Sequence, residues 1–104
     1  MGNRWRGEVA LTIDGQRHRM KLTLGALAEL EEALEEPSLV ALVERFEGGR
    51  YGTRDVLALL VAGLQGGGVR IDARTLARAD IDGGPMAAAQ AAAELLARAF
   101  MVQA

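Results

Sequence analysis

Few residues in this chain have the types and spacing that chemistry needs. There is no cysteine and a single histidine, His18. That removes a thiolate nucleophile, a zinc–thiolate site and a disulfide framework, and one imidazole cannot build a metal cluster unaided. Gly66-Gly67-Gly68 is followed by Val69-Arg70. A phosphate-cradling loop needs Lys-Ser/Thr there, and no Gly-x-Gly-x-x-Gly follows a strand, so the run reads as a helix stop. His18 falls on an apolar face with Met20 and Leu22, where a satisfied or half-buried ring is expected rather than a catalytic one. Glu29, Glu31, Glu32, Glu35 and Glu36 are dense, but they radiate around a helix. Hard cations want oxygens converging from loops, so this reads as a solvated acidic face. Asp72, Asp80 and Asp82 lack the twelve-residue calcium-loop pattern. No Ser/His/Asp or Cys/His set is readable. The expectation is a protein with no catalytic residues, no metal and no cofactor, with a small metal-binding or enzymatic domain as the outlying alternative.

Bulk properties narrow the class. At 104 residues the chain is expected to be one domain, 1–104, and half of those residues are hydrophobic, enough for a core without staples. A net charge of −2 argues against a nucleic-acid partner, which a basic excess would serve. Met1-Gly2-Asn3-Arg4-Trp5-Arg6 has no apolar region like that of a signal peptide, and Arg6 stands where a myristoylation signal wants Ser or Thr. Val56 to Leu64 is too short to cross a bilayer. These features predict a cytoplasmic protein with no membrane contact.

The elements follow from periodicity. From Gly7 to Ile13 the side chains alternate, with Val9, Leu11 and Ile13 on one face; Gln16 to Leu22 alternates again. Asp14-Gly15 between them favours a two-residue type I′ turn. That turn sets Ile13 opposite Gln16, Leu11 opposite His18 and Val9 opposite Met20, so both apolar patterns share a face. An isolated hairpin is marginal in water, so it must pack on helices. The fold expected is α+β: an antiparallel hairpin at 7–22, then a bundle of four or five α-helices over 24–102.

The stretch Thr23 to Leu34 anchors that bundle. Thr23 is a good N-cap, and Leu24, Leu27, Leu30 and Leu34 fall within an arc of roughly 120°. Glu31 projects between Leu24 and Leu27, to pair with an arginine or to stay solvated at the rim. Pro37 stops this helix. Ser38 caps a second, Leu39 to Phe46, with Leu39, Leu42, Val43 and Phe46 as its stripe. Thr53 is expected to cap a third, helped by Asp55, and Val56 to Leu64 carries no polar residue at all. Asp72 caps a short helix, Ala73 to Ala79; Pro85 opens the last, Met86 to Met101, whose polar stripe is Gln90, Glu94 and Arg98.

Two helices carry more apolar surface than so small a domain hides easily. Either they form an apolar groove that receives another chain, or they make a well-packed alanine-rich core. The groove reading assigns one wall to Leu57, Leu60, Val61 and Leu64 and the other to Leu95, Leu96 and Phe100.

The order of hairpin, Leu22-Thr23-Leu24-Gly25-Ala26-Leu27-Ala28-Glu29-Leu30-Glu31 and the Phe46-Glu47-Gly48-Gly49-Arg50 loop resembles the gene transfer agent family of small tail proteins, related to phage tail assembly chaperones. Asn3-Arg4-Trp5-Arg6-Gly7-Glu8, Asp14-Gly15, Leu59-Leu60-Val61-Ala62-Gly63-Leu64 and Ala92-Ala93-Glu94-Leu95-Leu96-Ala97 fit the same pattern, so the likeness covers nearly the whole chain. The resemblance implies a tail assembly chaperone that binds the tape measure protein. Other tail proteins and self-association are the further partners it suggests. Members are also described as tail tube proteins, which implies the alternative, a structural subunit retained in a virion-like particle tail. The resemblance brings no catalytic residue.

Overall fold

A computed structural model describes residues 8–102. Residues 3–7, which carry part of the resemblance and the start of the first alternating run, lie outside the described residues. The order is β1 (Val9–Ile13), β2 (Gln16–Met20), α1 (Leu24–Ala33), α2 (Leu39–Glu47), α3 (Thr53–Gly66), α4 (Ala73–Arg78) and α5 (Gly84–Val102). The fold is α+β: an N-terminal antiparallel hairpin, then five helices among the described residues.

The hairpin forms in the expected register, Val9 to Met20, Leu11 to His18 and Ile13 to Gln16. Asp14 and Gly15 both take positive φ, 50° and 82°, which is what a type I′ turn demands. A β-branched residue at the second position is strained there. Gly15→Val should therefore lower stability by about 1 kcal/mol or more. An unchanged urea midpoint would refute that turn geometry. Val9, Leu11, Ile13 and Met20 are all buried, so the apolar face of the hairpin is closed by helices.

Local caps set the helix starts. The Thr23 hydroxyl accepts from the Ala26 N–H at 3.1 Å, and the Ser38 hydroxyl from the Ala41 N–H at 3.1 Å. Asp72 accepts from the Thr75 N–H at 2.7 Å, and that bond holds its carboxyl below the usual carboxylate range. At α3 the cap is Gly52, not Thr53. Asp55 causes the difference: its carboxylate reaches back to the Gly52 N–H at 2.9 Å, which starts the helix one residue earlier. Pro85 is the second residue of α5, behind Gly84. The end of α1 is closed before Pro37 is reached. Glu36 N–H bonds Glu31 C=O at 2.9 Å and Glu35 N–H bonds Glu32 C=O at 3.2 Å, with Glu35 at φ 57°. This is a Schellman closure with glutamate where glycine is usual.

Around α3, α1, α4, α5 and β2 all pack. Among the described residues the buried set is wholly apolar and includes Leu30, Leu42, Leu59, Leu60, Leu64, Leu76, Leu95 and Leu96. Leu24 departs from the expected stripe and is 79% exposed. It is the first residue of α1, and the helix reaches the core only one turn later, at Leu27 and Leu30. Gly63 permits a close contact in the core: a Cβ there would stand 2.7 Å from Leu95 Cδ1 and 3.1 Å from Met20 Cβ.

Arg45 ties three helices together. Its Nη1 donates to Leu34 C=O at 2.9 Å and to Glu36 Oε2 at 3.1 Å. Nη2 donates to Asp55 Oδ2 at 3.0 Å, and Nε to Arg50 C=O at 3.0 Å. The acids that pair with arginine at this junction are thus Glu36 and Asp55. Glu31 has no arginine partner among the described residues.

Candidate functional site

A groove of 550 Å³ opens where the first half of α3 meets α4 and the start of α5. Val56, Leu57 and Leu60 of α3 form its floor with Leu76 of α4. Pro85, Met86 and Ala89 of α5 form one side, and Ile81 closes the end. Tyr51 stands at the opposite rim, stacked on Phe46 with ring centroids 4.6 Å apart and planes 9° apart. That stacking fixes the rim. Met86 is 74% exposed on the other side, a flexible apolar side chain in water beside an apolar cleft.

The hairpin turn holds this end of the molecule. Asp14 Oδ1 accepts from the Asp80 N–H at 2.9 Å, and the Asp14 N–H donates to Asp80 C=O at 2.8 Å. Asp82 N–H then donates to Thr12 C=O at 3.0 Å, so residues 80–82 run beside β1 before Gly83 and Gly84 turn into α5. The turn therefore positions Ile81 and the first turn of α5, and with them the groove wall.

The seven residues expected to line a groove are split by the structure. Leu57 and Leu60 do line one. Leu60, Leu64, Leu95 and Leu96 are 0–1% exposed and belong to the core. Val61 is half-buried against that core, and Phe100 is 47% exposed near the far end of α5. The expected walls thus face each other as packing, not as an opening, because Met20 and Leu95 both press on Gly63. The opening lies toward the N-terminal ends of α3 and α5. Tyr51, Leu76, Ile81 and Met86 belong to it, and the sequence reading missed all four. One sequence signal was available: Met86 follows Pro85 in a first helical turn, where burial is incomplete.

The groove can shelter an apolar side chain from water and offers little else. Its polar lining, Thr53 and Asp80, sits exposed at the edge. His18 is half-buried opposite Leu11. Asp72 serves α4 as a cap, and the backbones of Asp80 and Asp82 serve the clamp. Among the described residues no three His, Cys, Asp or Glu side chains gather as a metal site would need. None of the described helices is long and apolar enough to cross a membrane.

No curated protein and no solved structure matches the chain. A family model described as phage tail tube protein, GTA-gp10, matches residues 6–102. That span takes in the hairpin, every helix and the whole of the groove. The chain belongs to this gene transfer agent family of phage tail proteins.

Proposed function

We propose that this chain is a structural subunit of the tail of a phage-like gene transfer agent, and that it holds another tail protein through the groove beside Met86. The family match over residues 6–102 carries this reading. The groove supports it, because an apolar cleft rimmed by an exposed Met86 and a fixed Tyr51 suits an apolar side chain from a partner. The chain folds in the cytoplasm, assigns itself no reaction and needs no cofactor. Its final place is the particle's tail.

Mass spectrometry of purified particles tests the reading. The chain should be present in mature tails in a fixed ratio to the other tail proteins. Absence from mature tails would overturn it. The second reading, a tail assembly chaperone bound to the tape measure protein, is favoured by the apolar surface that Met86 leaves in water in the free chain. It predicts the opposite result: the chain copurifies with tape measure protein from assembling cells and is missing from finished particles. In either role, Met86→Asp should weaken tail-protein binding. Its stability should change by no more than about 0.5 kcal/mol, since the side chain is exposed. Undiminished binding would remove the groove from the interface.

A further inference from the structure

One guanidinium governs both peptide groups that flank Tyr51. Arg45 Nε donates to Arg50 C=O at 3.0 Å, in the peptide before Tyr51. The Gly52 N–H, in the peptide after it, donates to Asp55 Oδ2 at 2.9 Å. Arg45 Nη2 donates to that same oxygen at 3.0 Å. The relative orientation of the two peptide planes is the φ and ψ of Tyr51, so holding both planes fixes where its side chain points. The guanidinium is itself anchored, since Nη1 donates to Leu34 C=O and to Glu36 Oε2 beyond the end of α1.

The loop needs such a clamp. Three of residues 48–52 are glycine, which multiplies the backbone states open to it. A Cβ added at Gly49 or Gly52 would meet nothing within 4 Å, so packing confines neither position. Gly49 N–H bonds Phe46 C=O at 3.1 Å and Arg50 N–H bonds Arg45 C=O at 3.0 Å, which secures the chain as far as Arg50. From there Tyr51 crosses to α3, its ring stacked on Phe46 and lining the mouth of the groove beside Met86.

We propose that Arg45 is the positioning residue of this groove: it holds Tyr51 at the mouth and thereby sets the affinity for the apolar side chain of a tail protein. This rests on the reading that the groove holds a tail protein. A rim set in advance spares the complex the entropy of ordering the loop on binding. Lysine cannot take the place of arginine here. Its ammonium is a single point of contact, whereas the guanidinium presents Nε, Nη1 and Nη2 in a fixed fork, and all three are used.

The test uses the full chain and, as probes, the tail proteins of its particle, each purified and titrated singly by calorimetry. Arg45→Lys, Tyr51→Ala and the double variant form a cycle. Arg45→Lys should bind about tenfold more weakly, Tyr51→Ala at least as weakly, and the double variant no more weakly than Tyr51→Ala alone. Wild-type affinity in Arg45→Lys, or a loss that persists undiminished when Tyr51 is already alanine, would overturn the positioning role. The free chain gives a second readout, because it has one tyrosine. In Arg45→Lys the Tyr51 ring protons should move towards free-peptide shifts as the stack on Phe46 loosens. The Gly52 amide should exchange faster, while the amides of Leu59 and Leu60 keep their protection. Unmoved ring shifts and unchanged Gly52 exchange would overturn the role of Arg45 whether or not a partner binds. If Arg45→Lys does not fold, Asp55→Ala, which cuts the tie to Gly52 and leaves Arg50 held, takes its place under the same criteria. A tail protein that binds wild type and Met86→Asp alike would overturn the groove reading. One that Met86→Asp weakens and Arg45→Lys does not would overturn only the role of Arg45.

Discussion

Leu96→Asp is expected to abolish cooperative folding. Leu96 is 1% exposed in the middle of α5, and its neighbour Leu95 is fully buried. A carboxylate there has no polar partner, since the surrounding buried set is wholly apolar. The cost of burying it is about 3 kcal/mol or more, on top of the lost packing. For a domain of this size each kcal/mol moves the melting temperature by about 4–8 °C, so the transition should vanish or fall far below that of the wild type. Met86→Asp on the same helix is the matched control, because 74% of Met86 already faces water. A folded Leu96→Asp protein that had lost only partner binding would mean that the α3–α5 contact opens in solution. That would restore the groove to the walls expected from sequence.

The pattern of success along the chain has a physical cause. The hairpin was legible residue by residue because a period of two and a two-residue turn leave one register that buries Val9, Leu11, Ile13 and Met20 together. The caps at Thr23, Ser38 and Asp72 were legible because each bond spans three residues. Gly52 was not, because the choice between it and Thr53 was made by Asp55, a side chain that also answers to Arg45 of α2. Leu24 satisfies the helical period and still faces water, since period says which face is apolar and not how far along it the neighbour extends.

Of the seven residues named from sequence, Leu57 and Leu60 line the groove between α3, α4 and α5. Its position depends on contacts that no local pattern encodes. The bond from Asp80 N–H to Asp14 joins residues 66 apart, and it decides where α5 begins against α3. The alanines of α5 pack as the alanine-rich core alternative requires. Ala88, Ala91 and Ala92 are buried, and their small size lets α5 settle close enough to seal Leu95 and Leu96 inside.

Gly66→Ala and Gly67→Ala should each destabilise the protein, whereas Gly25→Ala should stabilise it. By sequence all three are glycines in or beside helices, where alanine is the better helix former by roughly 0.5–1 kcal/mol. Gly25 obeys that rule: it lies in α1, and the only atom near a new Cβ is the Thr23 hydroxyl oxygen at 3.9 Å. At Gly66 the same Cβ would overlap the carbonyl oxygen of Lys21, and at Gly67 that of Arg19. Neither residue has positive φ, so the glycine is needed for close approach and not for backbone freedom. The overlapping partner is main chain, which cannot rotate away as a side chain would. Relief requires α3 to lift from β2, and that strains the Lys21 N–H bond to Gly63 C=O. The expected loss is about 1–3 kcal/mol per substitution, against a gain of up to about 1 kcal/mol at Gly25. Paired urea titrations of the three variants would show midpoints moving in opposite directions. Equal midpoints for Gly66→Ala and Gly25→Ala would mean that the end of α3 does not rest on β2. The carbonyls of Arg19 and Lys21 would then face water rather than α3.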